Sequence, residues 1–309
     1  MRYAPPVFKS LGQMAAIDVG RLTEDEARAI LEGIRWPNGS LCAHCGSQDV
    51  TRIEAQSKKV RDGLLQCNEC RGQFTVTVGT VMHRSHITLR QWVQAFYSMC
   101  SHKKGVSALQ LQRNLGLKSY KSAWHLAHRI RLAMREQPMA SLLKGTVEVD
   151  ETYVGGKGHS SGRSTEEKVP VMALVERGGN VRTRVIDRVT GKNLKQAIRE
   201  NVDKSATVMT DEFASYRGLH KEFNHKTVNH SKKEYVRGEA HVNTAESFFA
   251  LLKRGVHGTF HHVSKQHLHR YADEFAFRWK QNKVTDGERA MAAIGGAAGK
   301  RLLYRDPGC

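Results

Sequence analysis

A mixed α/β sheet with helices on its faces, preceded by a small cysteine-held ribbon and a helical region, is the fold class this 309-residue chain predicts. Three observations predict it. Two Cys-x-x-Cys pairs, Cys42/Cys45 and Cys67/Cys70, stand near the start of the chain. From Leu89 to Met134 apolar residues recur at helical spacing. After Gly145, valine-laden runs bounded by turn residues alternate with helical stretches, the pattern of a sheet with helices packed on it.

The balance of 49 Lys+Arg against 30 Asp+Glu gives a formal charge of +19. Such a chain is drawn to a polyanion, and nucleic acid is the usual one. A membrane surface is the competing polyanion. No apolar run approaches a spanning length, and "MRYAPPVFKS" lacks the hydrophobic stretch of a signal peptide, so no membrane partner is expected and the protein is expected to be cytoplasmic. The chain divides into five expected segments: an N-terminal helical segment (1–36), a ribbon (37–82), a helical region (83–144), an α/β domain (145–283) and a tail (284–309).

In the first segment Thr23 and Glu26 fit a capping box, and Ala27, Ile30, Leu31 and Ile34 mark a helical stripe that Pro37 and Gly39 end. In the ribbon, Cys45 and Cys67 are separated by 21 residues. Four thiolates on two tight knuckles, with short alternating runs between them, suit a tetrahedral zinc ion that holds together a piece too small to fold on apolar burial. A shell of four protein ligands has no vacant position, so the zinc is expected to be structural. His44, inside the first knuckle, is expected to be a surface residue.

The helical region reads as "LRQWVQAFYSM", "SALQLQRNLGL" and "SYKSAWHLAHRIRLAM". The break at Gly116–Lys118 and the cationic last helix resemble a helix-turn-helix, whose final helix would offer Lys121, His125, His128, Arg129 and Arg131 to a DNA groove. A helical linker with a solvated basic face is the alternative.

In the α/β domain the runs "TVEVDETYV", "VPVMALVERG" and "VRTRVIDRV" predict an antiparallel meander, followed by a helix at "GKNLKQAIRENV" and a strand at "ATVMTDE". A helix at "FASYRGLHKEF", a short strand around "HKTVNH" and a long helix from near Asn243 complete the domain. The segment "GGKGHSSGRSTEEK" is expected to be mobile. The tail is Ala/Gly-biased and carries no further signal.

Three acids stand at matching places: Asp150 in or at the end of the first strand, Asp211 at the end of the fourth, and Glu246 in the first turn of "NTAESFFALLKRG". Carboxylates converging from separate elements are what a pair of divalent ions needs for in-line phosphodiester displacement. Each acid also has a plainer reading. Asp150 could be a solvated strand residue, with Glu148 and Glu151 as rival carboxylates; Asp211 could cap a helix; Glu246 could be the capping-box partner of Asn243. Lys253 follows Glu246 by two helical turns, on the same face, where a cation would hold DNA phosphate. The histidines His241, His257, His261, His262, His267 and His269 form no convincing metal cage. Phe275, Phe277 and Trp279 read as packing residues, and Arg278 as either a phosphate contact or a surface salt bridge.

The Asp, Asp, Glu series, with "TDEFASY", the block from "HVNTAESFFALLKRG" to "HRYADEFAFRWK" and the upstream ribbon, closely resembles the zinc-ribbon group of bacterial insertion-sequence transposases often called the IS fifteen-ninety-five family, of the DDE class and ISXO type. The resemblance runs from about Trp36 to Lys280. It implies a ribonuclease-H-like catalytic domain in which Asp150, Asp211 and Glu246 hold two Mg²⁺ or Mn²⁺ ions, with Lys253 as the following lysine and Arg254 beside it as a DNA contact. The third catalytic residue in this group is either Glu or Asn. Glu246 is expected as the ligand here, and Asn243, one turn earlier, as a cap or a residue supporting the site. The implied activity is DNA transposition: binding double-stranded element ends, freeing a 3′ hydroxyl and directing it at target DNA, within a homo-oligomer close to the nucleoid. Two rivals are a zinc-ribbon and helix-turn-helix DNA-binding regulator with a non-catalytic scaffold, and a nuclease that cuts without joining.

Overall fold

The computed structural model describes residues 10–53, 61–136, 141–155, 168–228 and 241–303. The chain forms two compact units, one built from residues 1–135 and 284–307, the other from residues 136–283.

The first unit opens with α1 (Ala16–Arg21) and α2 (Glu24–Arg35). The Thr23–Glu26 capping box is formed: the Glu26 carboxylate accepts the Thr23 backbone N–H at 2.8 Å, and Thr23 Oγ1 accepts the Glu26 N–H. Three short antiparallel strands, β1 (Val50–Arg52), β2 (Leu65–Cys67) and β3 (Gln73–Phe74), make the ribbon in the order β1-β2-β3. Three helices follow, α3 (Leu89–Ser101), α4 (Ala108–Leu115) and α5 (Tyr120–Met134). Gly116 ends α4 at φ +62°, a left-handed conformation that costs a residue without a Cβ little.

In the second unit a five-stranded sheet has the order β6-β5-β4-β7-β8, formed by β4 (Thr146–Val154), β5 (Val169–Glu176), β6 (Val181–Val185), β7 (Thr207–Asp211) and β8 (Asn224–Val228). The meander β4-β5-β6 is antiparallel, whereas β7 joins β4, and β8 joins β7, in parallel. Between β6 and β7 runs α6 (Gly191–Asn201), which buries Leu194, Ala197 and Ile198 with Val147, Val149 and Leu174 on one face of the sheet. On the other face, α7 (Asn243–Gly255) and α8 (Lys265–Lys280) bury Phe248, Leu252 and Phe275 with Val171, Ala173 and Val175. A π-helical turn, Val256–Phe260, separates these two helices. A Cβ on Gly255 would lie 2.0 Å from Phe275 Cζ, so this glycine is what lets α7 and α8 approach so closely.

The chain then returns to the first unit as α9 (Asp286–Gly295), which packs on α3 and has its own Thr285–Glu288 capping box. The Ala/Gly-biased tail thus contains a helix that its composition hides. A second departure is "FASYRGLHKEF", expected as a helix: it forms two 3₁₀ turns, Ala214–Tyr216 and Leu219–Lys221, because Gly218 between them sits at φ +83°, outside helical space. The segment expected to be mobile lies almost wholly outside the described residues.

Candidate active site

Side chains alternate along β4. Val147 and Val149 enter the α6 face, which places Glu148 and Asp150 on the face covered by α7 and α8. In the parallel register Glu148 pairs with Met209, two residues before Asp150 on β4 and two before Asp211, the last residue of β7, and the Asp211 charge bears on Asp150. Hydrogen bonds fix both: Asp150 Oδ1 accepts the Glu151 N–H at 2.8 Å, and Asp211 Oδ1 accepts the Phe213 N–H at 3.0 Å.

Glu246 is exposed in the first turn of α7. The capping-box reading of this residue does not hold, because Val242 occupies the N-cap position, Asn243 is the first helical residue, and no side chain caps the helix locally. Of the two roles expected for Asn243, a cap or a residue supporting the site, the cap is not formed. The missing acceptor comes from β4. Glu148, fully buried, accepts the Thr244 N–H at 2.7 Å, the Thr244 hydroxyl at 2.8 Å and the Ala245 N–H at 3.1 Å, and its charge is met by Arg177 Nε at 2.6 Å. An anion at a helix N-terminus satisfies orphan N–H groups and the helix dipole together. Glu148 is thus no rival for the site; it pins the helix that carries Glu246 to the strand that carries Asp150.

The electrostatics of the site are unfavourable to charge. Burial pushes the Asp150 carboxyl up to about 7, aided by the neighbouring charges of Glu151, Asp211 and Glu246. Glu151, on the other side of the strand, is also raised, chiefly by burial; it accepts the hydroxyl of the buried Tyr216 at 2.5 Å. Crowded carboxylates with hard oxygen donors are a donor set that fits a divalent ion. Lys253 lies half-buried on α7, two turns beyond Glu246.

In the ribbon, the four Sγ atoms of Cys42, Cys45, Cys67 and Cys70 all lie within 4.8 Å of one another. The Cys42–Cys70 and Cys45–Cys67 separations are 3.6 Å, close to the edge of about 3.8 Å of a tetrahedron with Zn–S bonds of about 2.3 Å. Backbone N–H groups of His44 and Cys70 point at Cys42 and Cys67 sulfur, the usual support for thiolate charge at a knuckle. The set fits zinc. His44 is exposed, with Nε2 3.3 Å from the Gln73 carbonyl.

Residues 142–280 match the ISXO2-like transposase domain, and residues 22–73 match the transposase zinc-ribbon domain. A Halobacterium salinarum protein described as an uncharacterized protein in transposable element ISH50 is 32% identical over 276 residues, covering 83% of this chain and 91% of that protein. The chain belongs to the ISXO2-like transposase family. Membership matches the mixed sheet and the four-cysteine ribbon, and it makes DNA the partner of this transposase. No helix among the described residues is long and apolar enough to cross a membrane.

Several cations expected at the transposase's DNA surface are elsewhere. Arg129 and Arg131 on α5 are 6% and 2% exposed, so neither offers a guanidinium to a groove. Arg129 donates to the His83 carbonyl at 2.5 Å and lies over the Trp92 ring, 5.2 Å from its centroid. The helix-turn-helix reading of α5 keeps Lys121, which is exposed beside the exposed Tyr120. Arg254 on α7 is exposed as well. Arg278, read as a phosphate contact or a surface salt bridge, forms a buried pair with Glu274 at 2.6 Å. Phe275 is core and Trp279 packs edge-on against Phe248.

Proposed function

We propose that this transposase binds the ends of an insertion sequence, hydrolyses a phosphodiester there to free a 3′ hydroxyl, and transfers that hydroxyl to target DNA. The reading is carried by one observation, the crowding of Asp211 and Glu246 charge onto the half-buried Asp150, which lies midway along β4, the strand that pairs in parallel with the strand ending in Asp211. These three carboxylates would hold two divalent ions, which supply charge stabilisation to an in-line displacement when bound. Among the described residues the four cysteines form a group whose donor atoms all lie within 4.8 Å of one another.

In the first step the oxygen of water bonds to phosphorus, the P–O3′ bond breaks, and the 3′ oxygen takes a proton, leaving a 5′ phosphate on the flank. In the second, the freed 3′ oxygen bonds to a target phosphorus and releases the target's own 3′ hydroxyl. Neither step needs a covalent enzyme intermediate. Lys253 holds a phosphate against the acids, Glu148 keeps α7 in place, and Lys121 and Arg254 contact the backbone. Both element ends are brought together in a homo-oligomer. Replacing Asp150 with Asn is expected to abolish nicking of an element-end duplex while zinc content and DNA affinity stay near those of the native chain; undiminished nicking by that variant would remove Asp150 from the reaction.

A further inference from the structure

The first unit holds a concentration of positive charge that neither the zinc ribbon nor the acids explain. Arg84, Arg129, Arg301 and His83 cluster where α5, the segment after the ribbon and the segment after α9 meet. The charged groups that bear on His83 are all cations, and burial together with Arg301, Arg84 and Arg129 holds its imidazole below the usual histidine range. Burial and the Arg301 charge likewise lower the Arg129 guanidinium, to about 10. No acidic side chain pairs with Arg84, Arg129 or Arg301 among the described residues, and the buried Nε of Arg129 has no hydrogen-bond partner. Like charges held this close without a counter-ion are stable only if something else gains from them.

The segment that carries His83 and Arg84 is also stiff and strained. Arg84 sits at φ +51°, a left-handed conformation rare for a long side chain. Ser85 Oγ accepts both Trp92 Nε1 at 3.1 Å and the Ile87 N–H at 3.2 Å, and Arg129 grips the His83 carbonyl from behind. The same segment forms one wall of an open cleft of about 880 Å³, whose other walls include Arg28 and Arg61. Of the two acids at the cleft, Glu24 spends its carboxylate on the Leu89 and Arg90 N–H groups, and Asp62 is exposed.

We propose that this cleft, together with Arg301, whose charge bears on the cleft's His83, is a clamp for one sugar-phosphate strand of duplex DNA, in which Arg84 in the cleft wall and Arg301 beside it contact backbone phosphates and the buried Arg129 sets the loop that presents Arg84. The inference rests on the reading of the protein as a DNA transposase and adds to it where the first unit grips. Phosphate contacts of this kind fix register and carry no sequence information, so the clamp serves element ends and unrelated duplex alike.

The test is fluorescence anisotropy of the full chain with zinc in place and no added Mg²⁺, on an element-end duplex and a scrambled one, across a range of NaCl. Arg84→Asn with Arg301→Gln removes both charges, and asparagine tolerates the left-handed backbone at position 84. The double variant is expected to bind both duplexes about tenfold or more weakly near 0.1 M salt, with the slope of log K against log salt smaller by about two. Unchanged affinity and slope in a variant of normal zinc content and melting temperature would overturn the clamp. So would a loss confined to the element-end duplex, which would mean base readout, or a loss of binding only to a poly-glutamate competitor, which would mean an acidic protein partner. If the double variant fails to fold, Arg301→Gln alone carries the test, with an expected fall in slope of about one. Nicking by the acids is read separately through Asp150→Asn, so failure of either claim leaves the other standing.

Discussion

Glu148 on β4 caps α7 through the Thr244 backbone N–H at 2.7 Å, a contact between residues 96 positions apart. It replaces the local cap that Val242 cannot provide, and it couples the rotation of α7, and hence the direction of Glu246, to the sheet. Removing one member of a buried, hydrogen-bonded ion pair is costly because the other charge stays behind. Arg177 is partly exposed, which moderates the loss. Glu148→Ala is expected to cost about 2–4 kcal/mol in urea unfolding. Glu148→Gln, which keeps the shape, is expected to cost less and still to cut metal-dependent nicking, because a side-chain amide offers its N–H groups where α7 offers N–H groups too. Native stability and native nicking in both variants would show that the contact positions nothing.

The Asp150 carboxyl supplies a pH test in protein free of divalent ions. Its folded value, about 7, lies above the ordinary aspartate value. The native state therefore binds more protons than the unfolded state between those values, and stability falls as pH rises from about 4 to about 7, then levels off. Asp150→Asn is expected to flatten this fall and to raise the melting temperature near pH 8, with a gain on the order of 2–4 kcal/mol. Adding Mg²⁺ should restore the lost stability of the native chain and leave the variant unmoved. A melting curve in which Asp150→Asn is no more stable at pH 8 would mean that the acids are not in conflict.

The ribbon makes a prediction that is independent of catalysis. Displacing metal from the native chain with an organomercurial should release about one equivalent of zinc and expose four thiols, those of Cys42, Cys45, Cys67 and Cys70. Cys67→Ser is expected to purify without that zinc and to lose the cooperative unfolding of the first unit, as followed by proteolysis of its Arg and Lys sites. Full zinc occupancy in Cys67→Ser would contradict a four-sulfur shell.

How far the sequence could be read follows from the range of each interaction. The ribbon was legible because its ligands declare themselves by local spacing, and the strands because valine runs mark them, with Asp211 at the end of β7 and Asp150 midway along β4. The role of Glu148 was not, since its partners Arg177 and Thr244 are brought to it only by the sheet and by α7. The basic residues of α5 misled for a related reason: Arg129 and Arg131 look like a solvated face on the helix alone, but the first unit packs around them. The helix α9 could have been found from Thr285 and Glu288, a capping box that the Ala/Gly bias of the tail obscures.

The measurement that bears most directly on the reading of this protein is incubation of the purified chain, with Mg²⁺ or Mn²⁺, with a duplex spanning the DNA that flanks its own gene, alongside Asp211→Asn and Glu246→Gln. Discrete nicks at an inverted repeat, and joining of the freed 3′ ends to a second duplex, are expected from the native chain and from neither variant. Specific binding with no metal-dependent nick, or nicks that persist in both variants, would contradict the assignment of Asp150, Asp211 and Glu246 as the centre of a transposase.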